Sequence, residues 1–268
     1  MDTGGDISPL LRHAVPYTLV AFRLAGLFLA APVLSSQGVP ARHKALIALT
    51  LAGATYPIVA ARAWNPIETD VVGLIPLVLA ESLIGLTVGL LASIPIMAMD
   101  MAGSVAGQTM GFGLAKVYNP EVDTDADVLG QLLMFLASGI FAAVGGLDQM
   151  FRGVLGTFDR VPIGAAGLEG HAPLDLVLGV LGGGLELALR VALPVVGICM
   201  LLMIVLGVIG KAMPAFNVMT VGFIIKLIAG VMVLALAVPA VAEASGDEVR
   251  RVMNEVSGWL SALVGKGA

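Results

Sequence analysis

Few side chains in this sequence could do acid–base, nucleophilic or metal chemistry, and their spacing argues against each. The three histidines, His13, His43 and His171, stand far apart, and none lies in a His-Glu-x-x-His or paired-cysteine pattern that would hold zinc. The one cysteine, Cys199, sits in the apolar run from Val195 to Ile209 and reads as a packed thiol with no bearing on redox compartment. Asp123-x-Asp125-x-Asp127 alternates like a calcium loop but lacks the glycine at loop position six and the glutamate at twelve, so it reads as a solvated acidic loop. Gly164-x-x-Gly167-x-x-Gly170 lacks the strand a phosphate-cradling loop needs, and no Gly-x4-Gly-Lys-Ser/Thr occurs. No catalytic residue, metal or cofactor is expected.

What remains is a set of charges in an apolar setting. Arg23, Glu81, Asp100, Glu186, Arg190 and Lys226 interrupt or flank long uncharged runs. A charge at the middle of a membrane span costs about 2.5–3.5 kcal/mol on an insertion scale, so each needs a partner or water. Glu81, Asp100 and Lys226 are expected at buried contacts with other helices or subunits. For Arg23 and Arg190 two readings stand side by side, an assembly contact or polar path on the one hand and a snorkelling side chain near a helix end on the other.

The elements that carry these charges follow from composition. Of 268 residues 58% are hydrophobic, 34 are glycine and only 12% are charged, about half the share of an ordinary globular domain. With a mean hydropathy of +0.99, one soluble core cannot cover the apolar surface, and disorder, collagen, coiled coil and a disulfide scaffold are excluded as well. A net charge of -5 provides no basic face for nucleic acid. Uncharged runs at 24–41, 45–61, 82–99, 101–115, 128–147, 191–210, 212–225 and 227–242 predict six or seven membrane-type helices. A helix of ~18 residues is about 27 Å long, close to the ~30 Å hydrocarbon core. The stretch from Val15 to Leu34 is too long for the apolar part of a cleaved signal and reads as a retained first helix.

Prolines at 32, 57, 76, 95, 194 and 239 predict kinked spans. Two polar stretches read as aqueous connections, Lys116 to Asp127 as an acidic loop and Asp148 to Asp175 as a connector with a short helix. Gly85-x-x-x-Gly89 reads as a packing pair. Gly103, Gly107 and Gly111 strip side chains from one helical face, and Gly113 follows, so this segment is expected inside protein or along a water-filled path rather than in lipid.

Four blocks then occur in order. The first is Phe22-Arg23-Leu24 with Ala31-Pro32-Val33-Leu34 and Val39-Pro40-Ala41-Arg42; the second runs from Glu81 through Gly85 and Gly89 to Ala102-Gly103, Gly107, Met110-Gly111 and Asn119-Pro120. The third is Thr157-Phe158 with Val161-Pro162-Ile163-Gly164, and the fourth is Leu206-Gly207 to Pro214, Asn217, Gly222-Phe223 and Lys226. On these blocks the chain resembles the FliR/SctT family, export-gate proteins of the bacterial flagellar type III secretion apparatus and its virulence counterparts. Leu147, Thr109, Lys211 and Ile224 stand where the family often has His, Gln, Arg and Pro.

The resemblance implies an all-α fold of kinked membrane-type helices and helical hairpins. Residues 1–184 would be a FliP-like part including the plug segment, and 185–268 a FliQ-like hairpin and tail turning at 210–217. With FliP-like and FliQ-like subunits these would build a helical hetero-oligomeric cone. The implied role is a pore-forming structural subunit, not an enzyme, in the bacterial inner membrane at the flagellar basal body. It would work with FlhA-like and FlhB-like export proteins and conduct unfolded export substrates out of the cytoplasm.

The gate or plug would be Gly107 to Val117, with Met110, Gly111, Phe112 and Gly113 between them. Arg23, Glu81, Asp100 and Lys226 are expected at subunit contacts, and Lys211, Pro214 and Asn217 in a cytoplasmic hairpin loop. A raw count of basic residues favours a cytoplasmic side carrying Arg12, Arg62, Arg152, Arg160, Arg250 and Arg251; the resemblance favours the side of Arg42, Lys44 and Lys211, whose loops are short, and is preferred. The alternative reading is a small-solute secondary transporter with broken helices around a midplane site.

Overall fold

A computed structural model describes residues 8–32, 40–62, 71–112, 127–164, 174–213 and 218–264. Every regular element among the described residues is helical: α1 (Ser8–Ala30), α2 (Ala41–Arg62), α3 (Val71–Met110), α4 (Val128–Ala143), α5 (Gly146–Arg160), α6 (Leu174–Ala212) and α7 (Val218–Val264). The all-α class expected from the sequence is therefore what the chain adopts. Among the described residues five helices are long and apolar enough to cross a membrane, and α4 with α5, broken between them, make a sixth crossing if counted as one span.

That is fewer than the upper expectation of seven, for a physical reason. The uncharged runs stop at single charges, but a lone charged side chain projects from the helix and leaves the backbone bonds from residue i to i−4 intact. Hence α3 continues through Asp100 and α7 through Lys226. Proline does not end the helices either: α1, α2, α6 and α7 run through Pro16, Pro57, Pro194 and Pro239. The break between α4 and α5 comes instead from the backbone of Gly145, at φ 75°, a left-handed conformation that glycine adopts without a Cβ clash.

Two compact units arise. One comprises Met1–Ser93, Gly145–Gly179 and Arg251–Ala268; the other comprises Ile94–Val144 and Val180–Arg250. In the first, α1 packs against α2 and α5, and Phe28 of α1 tilts against Phe151 of α5 with ring centroids 5.8 Å apart. Between α1 and α3 the approach is backbone to backbone. A Cβ on Gly89 would stand 2.7 Å from the Leu27 carbonyl oxygen, and one on Gly85 would collide with that of Arg23. Small residues at this spacing let helices approach where burial from water supplies little drive between them.

The second unit buries Met99 and Ala106 of α3, Leu133 and Phe141 of α4, and Val191 and Val195 of α6. Gly103 meets the first turn of α4, where a Cβ would lie 2.6 Å from the Gly130 Cα. Leu206 of α6 fills the notch at Gly222 of α7, its Cδ1 2.9 Å from where a Cβ would stand.

Candidate functional site

The first three motif blocks converge on one buried polar cluster in the first unit. Arg23 of α1 and Glu81 of α3 are both 0% exposed and form an ion pair through Nε and Oε2. The other guanidinium nitrogens are also used: Nη1 donates to the Thr157 hydroxyl at 2.9 Å and Nη2 to the Val161 carbonyl at 3.1 Å. Glu81 Oε1 accepts from the Gly164 backbone N–H at 3.1 Å. The guanidinium carbon lies 4.1 Å from the centroid of the Phe158 ring, a cation–π placement.

Removing two charges from water costs several kcal/mol per ion, and the mutual attraction offsets this only when the leftover donors and acceptors are also paired. Here they find the end of α5 and the turn after it. The sequence makes this possible locally. Thr157 and Phe158 lie on the inward face of α5, and Gly164, at φ 77°, turns its N–H back toward Glu81. Arg23 is thus held inside the protein and does not snorkel. Neither member of the pair has surface left for a neighbouring subunit; their partners belong to this chain.

The second region is the end of α3 in the other unit. Gly103, Gly107 and Gly111 are all buried, so this glycine face lies against protein. The helix stops at Met110, and Gly111 takes φ 106°. Phe112 N–H bonds the Gly107 carbonyl at 3.1 Å and Gly111 N–H that of Gln108 at 3.1 Å. This pairing is a Schellman C-cap, which satisfies carbonyls that a helix end leaves open. Met110 is fully buried against Gly230 of α7, with its Sδ 3.0 Å from where a Cβ would stand. One residue earlier, the Thr109 hydroxyl donates to the Ala106 carbonyl at 2.8 Å, and Lys226 is half-buried on α7. Gly113 and Val117, expected in the same segment, lie outside the described residues.

Asp100 also meets this region, since its Oδ1 lies 2.9 Å from the position a Gly130 Cβ would take. Asp127, read from sequence as part of a solvated loop, caps α4 by accepting from Gly130 N–H at 3.0 Å. Lys211 is exposed in the last turn of α6, while Pro214 and Asn217 lie outside the described residues. Glu186 and Arg190 face each other at 3.6 Å, both exposed on α6.

The dispersed histidines stay dispersed. His13 Nδ1 is 2.8 Å from the Tyr56 hydroxyl and His43 is exposed near the start of α2, whereas His171 lies outside the described residues. Among the described residues, no group of three or more His, Cys, Asp or Glu could hold a metal ion. Sequence reasoning missed the roles of Thr157, Gly164 and Gly230. The first two carried a signal, since they stand in a motif block, but their partners lay 134 and 83 residues away.

These features define a class: an all-helical membrane protein whose buried polar groups hold helices and turns together. Residues 14–252 match the family described as bacterial export proteins, family 1. The chain belongs to this family and is a membrane component of a bacterial type III export apparatus. It is 26% identical to the flagellar biosynthetic protein FliR of Escherichia coli over 90% of this chain and 91% of that one. It is 25% identical to FliR of Bacillus subtilis over 84% and 86%. To the Yop proteins translocation protein T of Yersinia pestis it is 30% identical over 57% and 58%.

Proposed function

We propose that this protein is a structural, pore-forming subunit of the flagellar type III export gate in the bacterial inner membrane, conducting unfolded export substrates out of the cytoplasm. Its partners in this reading are FliP-like and FliQ-like subunits in a helical cone, with FlhA-like and FlhB-like proteins at the cytoplasmic side near Lys211, Pro214 and Asn217. Residues 1–184 serve as the FliP-like part and 185–268 as the FliQ-like hairpin and tail. Asp100 and Lys226 remain candidate subunit contacts, since each is only half-buried within this chain.

The observation that carries the reading is the bareness of α6 and α7. Only 22% and 17% of their apolar windows are buried within the chain, and α6 exposes a Glu186–Arg190 pair among leucines. Lipid would cover the leucines but not the charges, which favours protein neighbours. The plug reading of Gly107 to Val117 is supported by a helix end that terminates on glycine and seats Met110 in the notch at Gly230.

One preparation tests both parts. Extracted in mild detergent, the chain should copurify as a large hetero-oligomer, and membranes containing that complex should be sealed. Deleting 107–117 should leave the complex assembled but conducting ions and small solutes. A lone protomer or homodimer that binds a small ligand would point to the transporter reading, and a sealed pore after deletion removes the plug role.

A further inference from the structure

In the second unit, Gly182, Leu185, Glu186, Leu189, Arg190 and Leu193 line a hollow of about 500 Å³ on the outer side of α6. They fall at i, i+3, i+4, i+7, i+8 and i+11 and so form one stripe along the helix. The opposite face is the packed one: Leu187, Ala188 and Val191 are buried, and a Cβ on Gly184 would stand 2.6 Å from the Ile94 Cγ2 of α3. On the outer stripe each of the three leucines is more than half exposed, and a Cβ on Gly182 would meet no atom within 4 Å.

A bilayer alone does not cover this stripe. Exposed apolar side chains recur along α6 from Leu178 to Ile209, a length of about 47 Å at the helical rise. A tilt of ~40° still leaves about 36 Å along the membrane normal, against a hydrocarbon core of ~30 Å. With the uncharged run 191–210 in hydrocarbon, the part left over is the stretch that holds most of the stripe.

The charges there are balanced within the chain. Glu186 and Arg190 pair with each other at 3.6 Å. The other charges on α6 are distant, Asp175 about three turns before Glu186 and Lys211 about six turns after Arg190. Glu255 of α7 reaches α6 at Gly179, its Oε2 3.9 Å from where a Cβ would stand, and is itself paired with Arg251 at 3.4 Å. The stripe therefore carries no net charge, and a partner that brought one would bury it without a counter-ion. The Glu186–Arg190 pair still calls for hydrogen bonds, because 3.6 Å is too long for one and a guanidinium has five N–H groups to satisfy. An amide side chain both donates and accepts, so it can serve the carboxylate and the guanidinium together.

We infer that the stripe from Gly182 to Leu193 seats one helix of a neighbouring subunit, apolar on its facing side, packed closely at Gly182 and carrying an uncharged amide side chain level with Glu186 and Arg190. Resting on the export-gate reading, the seat fixes where on α6 a neighbour docks and what that neighbour presents.

The test is the yield of copurified subunits in mild detergent, relative to the unaltered chain. Gly182→Leu adds bulk where this chain leaves open space, so it should spare folding and insertion yet lower that yield several-fold; lipid would accept the leucine without effect. Glu186→Gln and Arg190→Gln each strand one charge against a neutral partner and should lower the yield likewise. The double variant is neutral again and should recover most of it. A benzophenone amino acid placed at Leu189 should photocrosslink to a copurifying subunit. Three results overturn the inference while leaving a hetero-oligomer, and with it the export-gate reading, in place: a yield unchanged by Gly182→Leu or by both single charge variants, a yield raised by either single charge variant, as a charged partner would give, or a Leu189 adduct to lipid or to a second copy of this chain. A lone protomer from the unaltered chain removes the export-gate reading itself, and the seat with it.

Discussion

At the scale of single residues, Arg23 and Glu81 show how a charge placed in an apolar helix is made tolerable. Each satisfies the other, and their spare valences are spent on Thr157, Val161 and Gly164. The consequence is asymmetric. Glu81→Leu leaves a buried guanidinium without a counter-ion and should destabilise the first unit by about 3–5 kcal/mol. Replacing both, Arg23→Leu with Glu81→Leu, removes the stranded charge and should recover much of that loss, though the turn at 161–164 loses its anchor. Unfolding of the purified chain in detergent, run as a double-mutant cycle, measures this; a loss in the double variant equal to the sum of the two single losses would show that the pair carries no coupling. The identity of these charges was legible in the sequence, because a charge in an uncharged run is conspicuous. Their pairing was not. Partners 58 positions apart share no local pattern, and a helix face alone does not say which other helix it meets.

At the scale of elements, the decisive contacts are notches cut by glycine. Gly230 of α7 receives Met110, and the end of α3 is thereby fastened. A Gly230→Val substitution fills the notch and should lever Met110 out, while Met110→Ala empties it at a cost of about 2–5 kcal/mol. Combining the two restores volume, so the double variant should be more stable than either single one, and membranes carrying the assembled complex should leak with each single variant and reseal with the double. Leakage unchanged in all three would separate the seat from gating. The glycine spacing that marks α3 was legible, as was its unsuitability for lipid contact. What sequence could not supply was where helices end. Asp100 and Lys226 look like boundaries in a hydropathy reading, yet they interrupt nothing, because backbone hydrogen bonding is indifferent to a single side chain. Gly145 and Gly111 look like two glycines among 34, and with Gly164 they are the glycines among the described residues whose positive φ turns the chain.

At the scale of the whole molecule, composition alone placed the chain in a membrane and the helices fulfil it, whereas the division into two units, each gathered from distant segments, has no counterpart in any run of residues. That interleaving has a temporal side. Arg23 is made 58 residues before Glu81 and 138 before Val161. At synthesis rates of about 5–20 residues per second, the guanidinium waits about 3–12 s for its counter-ion and roughly 7–28 s for the carbonyl that completes its shell. During the first interval α1 carries an unneutralised cation. Nascent chains halted at residue 75 should therefore remain held by the insertion machinery or be degraded, while chains halted at residue 110 should partition into the membrane and persist. Pulse-labelling with protease protection distinguishes the two, and equal persistence would mean that α1 finds another neutraliser. The ion pair thus acts as a clock in biogenesis, committing the first helix only once the third has arrived.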